Sequence, residues 1–160
     1  MENKTVTVPL KNGLIALVDE SDYHLVSPFV WSVMCNDSRN YAVRYEYFGG
    51  KTYRVFMHRV VNKTPDEMMT DHINGDGLDN RRSNLRTATH SQNMQNRRKH
   101  KNNASGYKGV YLEKESGRYR AQITSGGKIH RLGRFASPEE AYQAYLAAAK
   151  SIHGEFFRAE

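Results

Sequence analysis

The 160-residue sequence has a single cysteine, Cys35. That excludes an internal disulfide framework and any cysteine-rich zinc site. Long apolar runs are missing too: nowhere do roughly 18 consecutive apolar residues occur, the length that a membrane-spanning helix needs. The N-terminal stretch carries Asp19, Glu20 and Asp22 and no apolar core of a secretory signal. The expectation is a soluble protein of a reducing cytoplasm. Apolar residues make up 38% of the chain, enough for modest cores but not for one large one. Acid is also short. Against 24 Lys and Arg stand 17 Asp and Glu, a net charge of +7 that points to a polyanionic partner, nucleic acid before acidic lipid. The excess is +1 over residues 1–60, +3 over 61–104 and +3 over 105–160, so the last two stretches carry that signal.

Texture divides the chain in the same places. Residues 1–60 alternate like strands. Val6, Val8 and Leu10 lead to the turn Lys11-Asn12-Gly13 and then Leu14 to Val18. Tyr41 to Tyr45, Gly49-Gly50 and Thr52 to Phe56 read as a second hairpin, with a short helix expected near Ser21. Residues 61–104 are polar and too poor in apolar side chains for a core of their own, and they end in a basic run that resembles a linker. Residues 105–160 give three short strands and one helix. Ser137 is its N-cap, Pro138 its first residue and Glu140 completes a capping box. Ala141, Ala144, Tyr145, Ala148 and Ile152 follow at helical spacing, and Gly154 is a stop signal.

The chemistry-bearing string is Asp71-His72-Ile73-Asn74-Gly75, then Asn84-Leu85-Arg86, then Ser91-Gln92-Asn93. Metal-assisted phosphodiester hydrolysis needs oxygen ligands for a hard cation, a base to activate water, and something to orient that base. Asp71 offers a carboxylate, Asn93 an amide oxygen, and His72 an imidazole that titrates near neutrality. On a regular strand Asp71 and His72 point to opposite faces, unless a bulge or the strand end re-aims one. Asn84 can hydrogen-bond the backbone of the intervening loop or fix the tautomer of His72. His58 and His90 are further histidines of undecided role.

This string resembles the HNH nuclease family, in particular its homing-endonuclease branch. The resemblance implies two strands and a helix wrapped around one divalent ion, Mg2+ or Mn2+. It implies that Asp71 and Asn93 ligate the metal, that His72 is the general base, and that Asn84 braces that base. The strands would lie near 68–73 and 85–88, and the helix from about 90 to 98.

A second resemblance covers residues 105–157. Ser105-Gly106-Tyr107-Lys108-Gly109-Val110, Gly117 to Ile123, Leu132-Gly133-Arg134-Phe135 and Pro138 to Tyr142 resemble an APETALA2-type DNA-binding domain. That family is a three-stranded sheet backed by a helix, with the open sheet face in the major groove. Alternation agrees: Tyr119, Ala121 and Ile123 share the face that packs on the helix, and Arg118, Arg120, Gln122 and Thr124 share the other. Arginine and glutamine on an open strand suit guanine and adenine edges. Lys108, Lys128 and Arg131 are added as contacts, and Arg97, Arg98 and Lys99 as phosphate contacts.

The expectation is therefore an α+β protein with a β-rich N-terminal segment (1–60), a ββα-metal nuclease core with a basic linker (61–104) and a DNA-binding domain (105–160). It would hydrolyse phosphodiesters in double-stranded DNA, as a homing endonuclease of a phage or mobile element. The alternatives are a DNA-binding regulator with a vestigial nuclease motif, or a restriction or packaging nuclease. No membrane or obligate protein partner is expected, and monomer and homodimer stay open.

Overall fold

A computed structural model of the chain describes residues 4–36, 39–96 and 103–157. It is an α+β structure with short strands in small sheets and few helices, and it divides into two compact units, Met1–Thr89 and His90–Glu160.

In the first unit β1 (Thr5–Pro9) and β2 (Ile15–Asp19) pair antiparallel, Val8 opposite Ala16. Between them Asn12 Oδ1 accepts the Leu14 amide at 3.3 Å, and Gly13 takes the left-handed conformation that the turn requires. A 3-10 turn over Glu20–Asp22 runs into the one-turn helix α1 (Tyr23–Val26), close to the helix expected near Ser21. Next comes a meander of β3 (Ser32–Asn36), β4 (Arg39–Phe48) and β5 (Lys51–Phe56), in the order β3-β4-β5. The helix α2 (Met57–Asn62) follows, and then the pair β6 (Met69–His72) and β7 (Leu85–Ala88), with Asp71 opposite Arg86 and His72 opposite Leu85.

One core serves this whole unit. Val8, Leu10, Ala16, Val18, Val26, Trp31 and Ala42 from the β-rich segment are buried with Met57, Val61 and Leu85. The polar stretch thus borrows apolar cover from the strands that precede it, as its composition required. Strand β3 and helix α2 carried no expectation. Six residues are too few for a helical period to register, and only Met57, His58 and Val61 of α2 are buried.

The second unit opens with α3 (His90–Gln95). Its sheet, of order β10-β9-β8, is formed by β8 (Val110–Glu113), β9 (Arg118–Ser125) and β10 (Lys128–Phe135). The helix α4 (Pro138–His153) starts as its sequence dictates: Ser137 Oγ accepts the Glu140 amide at 3.2 Å, and a Glu140 carboxylate oxygen accepts the Ala136 amide at 3.3 Å. Ala121 and Ile123 are buried against it, and its own buried stripe is Ala141, Tyr145, Ala149 and His153. Ile152 is a correction to the expected stripe. A spacing of four carries the buried line to His153, one residue beyond Ile152, which is left exposed.

Strand β10 contains a β-bulge between Arg131 and Gly133. Arg131 pairs with Gln122 and Arg134 with Arg120, so two arginines three residues apart fall on one sheet face while Leu132 turns toward the core.

Gly109 is where backbone and ring meet. Its φ is +74°, and a Cβ there would overlap the Tyr145 ring and the Gln122 carbonyl, whereas Gly117 (φ +65°) faces open space. Gly109→Ala should therefore destabilise the second unit by about 2–4 kcal/mol, and Gly117→Ala by only about 1–2 kcal/mol, the left-handed cost alone. Chemical denaturation followed by circular dichroism measures both, and equal losses would contradict the packing account.

Candidate active site and nucleic-acid interface

The loop between β6 and β7 is built from side chains that hydrogen-bond backbone. Asn74 Oδ1 accepts the Asp76 amide at 2.8 Å, and Asp76 Oδ1 accepts the Leu78 amide at 3.0 Å. Asn84 closes the loop at its far end: its Oδ1 accepts the Asn74 amide at 2.9 Å and its Nδ2 donates to the Asp79 carbonyl at 2.8 Å. Asp79 in turn accepts Arg81 through Nε at 2.8 Å and Nη2 at 2.7 Å, and Asn74 Nδ2 at 3.0 Å. The loop is then fastened to the N-terminal strands. Leu17 donates its amide to the Leu78 carbonyl and Asn80 donates to the Leu17 carbonyl, both at 2.8 Å. Arg82 donates its amide to Asp19 Oδ2 and its guanidinium to both oxygens of Asp22.

At the end of β6, Asp71 and His72 are both buried. Arg86 lies directly across the strand pair and reaches Asp71 Oδ2 through Nε at 2.8 Å and Nη2 at 2.7 Å. His72 is oriented by Asn80, a residue with no sequence expectation attached to it. Asn80 is fully buried, and its Nδ2 donates to the Leu78 carbonyl at 3.2 Å, which turns its Oδ1 to His72 Nε2 at 3.2 Å. An amide oxygen can only accept, so Nε2 carries the ring proton and the lone pair lies on Nδ1. Of the two roles open to Asn84, the structure shows the bonds to the loop backbone.

Around His72 stands a ring cluster. His58, from α2, meets it edge-on with ring centroids 5.0 Å apart, and Phe56 stacks on His58 at 5.0 Å. Tyr41 sits 5.7 Å from His58 and 6.0 Å from His72. Burial is the main reason that His72 titrates below its ordinary value; the Asn80 hydrogen bond and the Asp71, Asp76 and Asp79 carboxylates pull the other way. His58 is driven further, to about 3, by burial and then by the neighbouring His72 and Arg59. Its Nδ1 is buried without a hydrogen-bond partner among the described residues. The histidine was legible in the sequence; its place against His72 was not, because 14 residues and a loop separate them.

Asn93 lies on α3, in the second unit, and His90 opens that helix. Among the described residues no three His, Cys, Asp or Glu side chains form a metal-binding group. The donors that Asp71 offers are oxygen, which fits a hard divalent cation, and such a cation would share Asp71 with Arg86.

The open face of the second unit's sheet gathers most of the expected contact residues. Register sets Tyr111 opposite Arg120, Arg131 opposite Gln122 and Ile129 opposite Thr124, so Arg118, Arg120, Gln122, Thr124 and Arg131 share one face. Arg120, Gln122, Ile129 and Arg131 line a shallow depression there. Arg134 joins this face through the bulge, a residue that strict alternation could not place. Glu113 holds Arg120 at 3.3 Å and Arg134 at 2.7 Å. Lys128 pairs with Ser125 at the strand's start, and the Lys108 ammonium donates to the Gln95 carbonyl at 2.8 Å, at the end of α3. Arg97, Arg98 and Lys99 lie outside the described residues.

Comparison with known proteins bears on both units. A family model described as HNH endonuclease matches residues 55–95, and one described as AP2 domain matches residues 105–155. Over 145 residues the chain is 30% identical to an uncharacterized HNH endonuclease, L560, of Acanthamoeba polyphaga mimivirus, covering 90% of this chain and 73% of that one. The chain belongs to the HNH endonuclease family. This HNH endonuclease is also 33% identical over 94 residues to protein 3.8 of Escherichia phage T7, covering 59% of this chain and 77% of that one. No solved structure matches it. Family membership makes it a DNA endonuclease that carries an AP2 DNA-binding domain. Among the described residues no helix is long and apolar enough to cross a membrane.

The buried His58 sets a pH dependence of stability. Unfolded, its imidazole takes a proton below 6.5; folded, it resists until about 3. Between those limits the unfolded state holds more protons, so stability falls as pH falls, by about 1.4 kcal/mol per pH unit from this group. His58→Gln should flatten that slope between pH 6 and 4. Denaturation midpoints across the range test it, and an unchanged slope would move the effect elsewhere.

Proposed function

We propose that this endonuclease hydrolyses phosphodiesters of double-stranded DNA by a metal-dependent reaction in which His72 is the general base, within a ββα arrangement of β6, β7 and α3. The observation that carries this is the Asn80 contact, which holds His72 as the tautomer with its lone pair on Nδ1. Burial, which lowers the affinity of His72 for a proton, keeps the ring neutral at physiological pH, the state a base needs. Nδ1 takes a proton from water, the water oxygen bonds to phosphorus, and the P–O3′ bond breaks with the electron pair leaving on the 3′ oxygen. A divalent cation on Asp71 and Asn93, Mg2+ or Mn2+, would supply charge stabilisation for the phosphoryl oxygens and the leaving oxygen. Asn84 holds the loop that presents Asn80, and Arg86 neutralises Asp71.

The sheet face of Arg118, Arg120, Gln122, Thr124 and Arg131 is the reader of the target, with Arg97, Arg98 and Lys99 on phosphates. A cutting unit joined to a separate reading unit fits a site-specific homing endonuclease acting in the cytoplasm of a host. That two relatives come from a giant virus and a phage supports this role.

A plasmid-cleavage assay with and without Mg2+ tests the chemistry. His72→Ala should lower the cleavage rate ~10²–10⁴-fold and leave DNA affinity nearly unchanged. Asn80→Leu should cost ~10–100-fold in kcat with KM unmoved, the usual loss when a functional histidine's orienting partner is removed. Retained turnover in His72→Ala would reassign the base. Arg131→Ala tests the reader. If Arg131 contacts a base, the variant loses about 1–3 kcal/mol and discriminates less at one or two base pairs. A loss equal for every sequence would make it a phosphate contact.

A further inference from the structure

The β4–β5 hairpin runs well past the core that anchors it. At its base Val43 faces Phe56 and both lie among buried or half-buried neighbours, but from Tyr45 to Arg54 every residue is exposed. This arm carries rings on both faces. Register places Tyr45 and Tyr47 on one face, with Arg54 and Thr52, and Phe48 and Tyr53 on the other, with Lys51. Tyr47 is 77% exposed and Phe48 79%.

Gly49 and Gly50 both have positive φ, +57° and +74°, so the strands turn through two residues in the tight form that matches their twist. Neither glycine has a side chain, so the leading groups of the arm are the Phe48 ring and the Lys51 ammonium, paired across the end of the ladder. Arg44 is held by Glu46. Lys51 and Arg54 have no acidic partner among the described residues, and leave the arm with a surplus of positive charge.

A ring beside a cation at the end of a narrow ribbon matches the chemistry of duplex DNA: stacked bases flanked by phosphates. The ribbon is also continuous with the candidate active site. Strand β5 enters α2 directly, and His58 there packs on His72, while Tyr41 of β4 packs on both.

We infer that the tip of this arm is a wedge: Phe48 inserts into a base-pair step of the duplex held by the nuclease unit, with Lys51 on the adjoining phosphate and the Tyr47 ring on the opposite face of the ribbon. The inference rests on the endonuclease reading for its choice of DNA, and its test does not require cleavage. The probe is a short duplex of alternating A·T pairs containing 2-aminopurine, whose fluorescence rises when a step unstacks, titrated in EDTA with the full chain.

The wild-type protein should raise the fluorescence about twofold or more. Tyr47→Ser with Phe48→Ser should bind about tenfold more weakly and give no rise. Lys51→Ala should keep the rise but lower the salt slope of binding by about one unit. Matching thermal unfolding of all variants excludes misfolding, as the exposure of these side chains leads one to expect. Equal affinity and fluorescence in wild type and the double variant would overturn the wedge, and so would weaker binding with no fluorescence rise in the wild type. A change of oligomeric state in the double variant with DNA binding intact would overturn it in favour of a second copy of the chain. Failure of the wild type to bind the duplex overturns the wedge. Binding and unstacking without any plasmid cleavage in Mg2+ upholds the wedge while the proposed chemistry falls.

Discussion

The β6–β7 loop holds its shape because two backbone hydrogen bonds join Leu17 to Leu78 and to Asn80. The loop's side chains are nearly all polar, and several are buried, so each donor and acceptor must find a partner or cost stability. Leu17 supplies an amide and a carbonyl from the flank of β2, and the Asp19 and Asp22 carboxylates extend the same seam to Arg82. Once the loop is fastened, Asn80 has one orientation, and through it His72 has one tautomer. The chemistry proposed for the histidine thus depends on a strand more than fifty residues earlier in the chain.

The same seam explains why the first eighty-nine residues form one compact unit. A stretch as polar as 61–89 could not exclude water by itself. It contributes Val61, Leu85 and Ala88 to burial and takes the rest of its cover from the hairpin, Trp31 and Met57. Asp71 shows the electrostatic side of the same arrangement. A carboxylate this buried needs a counter-charge, and the cross-strand Arg86 provides it with two short hydrogen bonds.

Features encoded over a few residues were legible in the sequence. The Asn12-Gly13 turn, the Ser137-Pro138-Glu140 start of the last helix and the alternation from Arg118 to Thr124 all follow from local geometry. The two resemblances, to HNH nucleases and to AP2 domains, likewise rested on short strings with fixed spacings. What sequence could not supply was contact between distant segments. Asn80 sits in a loop full of Asn, Asp and Gly, where its type signals only a turn. His58 gives no sign that it will pack against His72. The second arginine of β10 was hidden for a different reason: a bulge breaks the period of two, and Gly133 is its only trace.

That bulge makes the length of β10 part of its recognition surface. Loops on either side of the strand can gain or lose residues at small cost, since their ends stay where the ladder puts them. Within the strand, an even pleat over the same residues, or one more residue taken up between the two arginines, would turn Arg131 and Arg134 to opposite faces. Changes in what this sheet binds should therefore arise by exchange of side chains along β9 and β10. Insertions and deletions would be confined to the turns at Ser116-Gly117 and Gly126-Gly127.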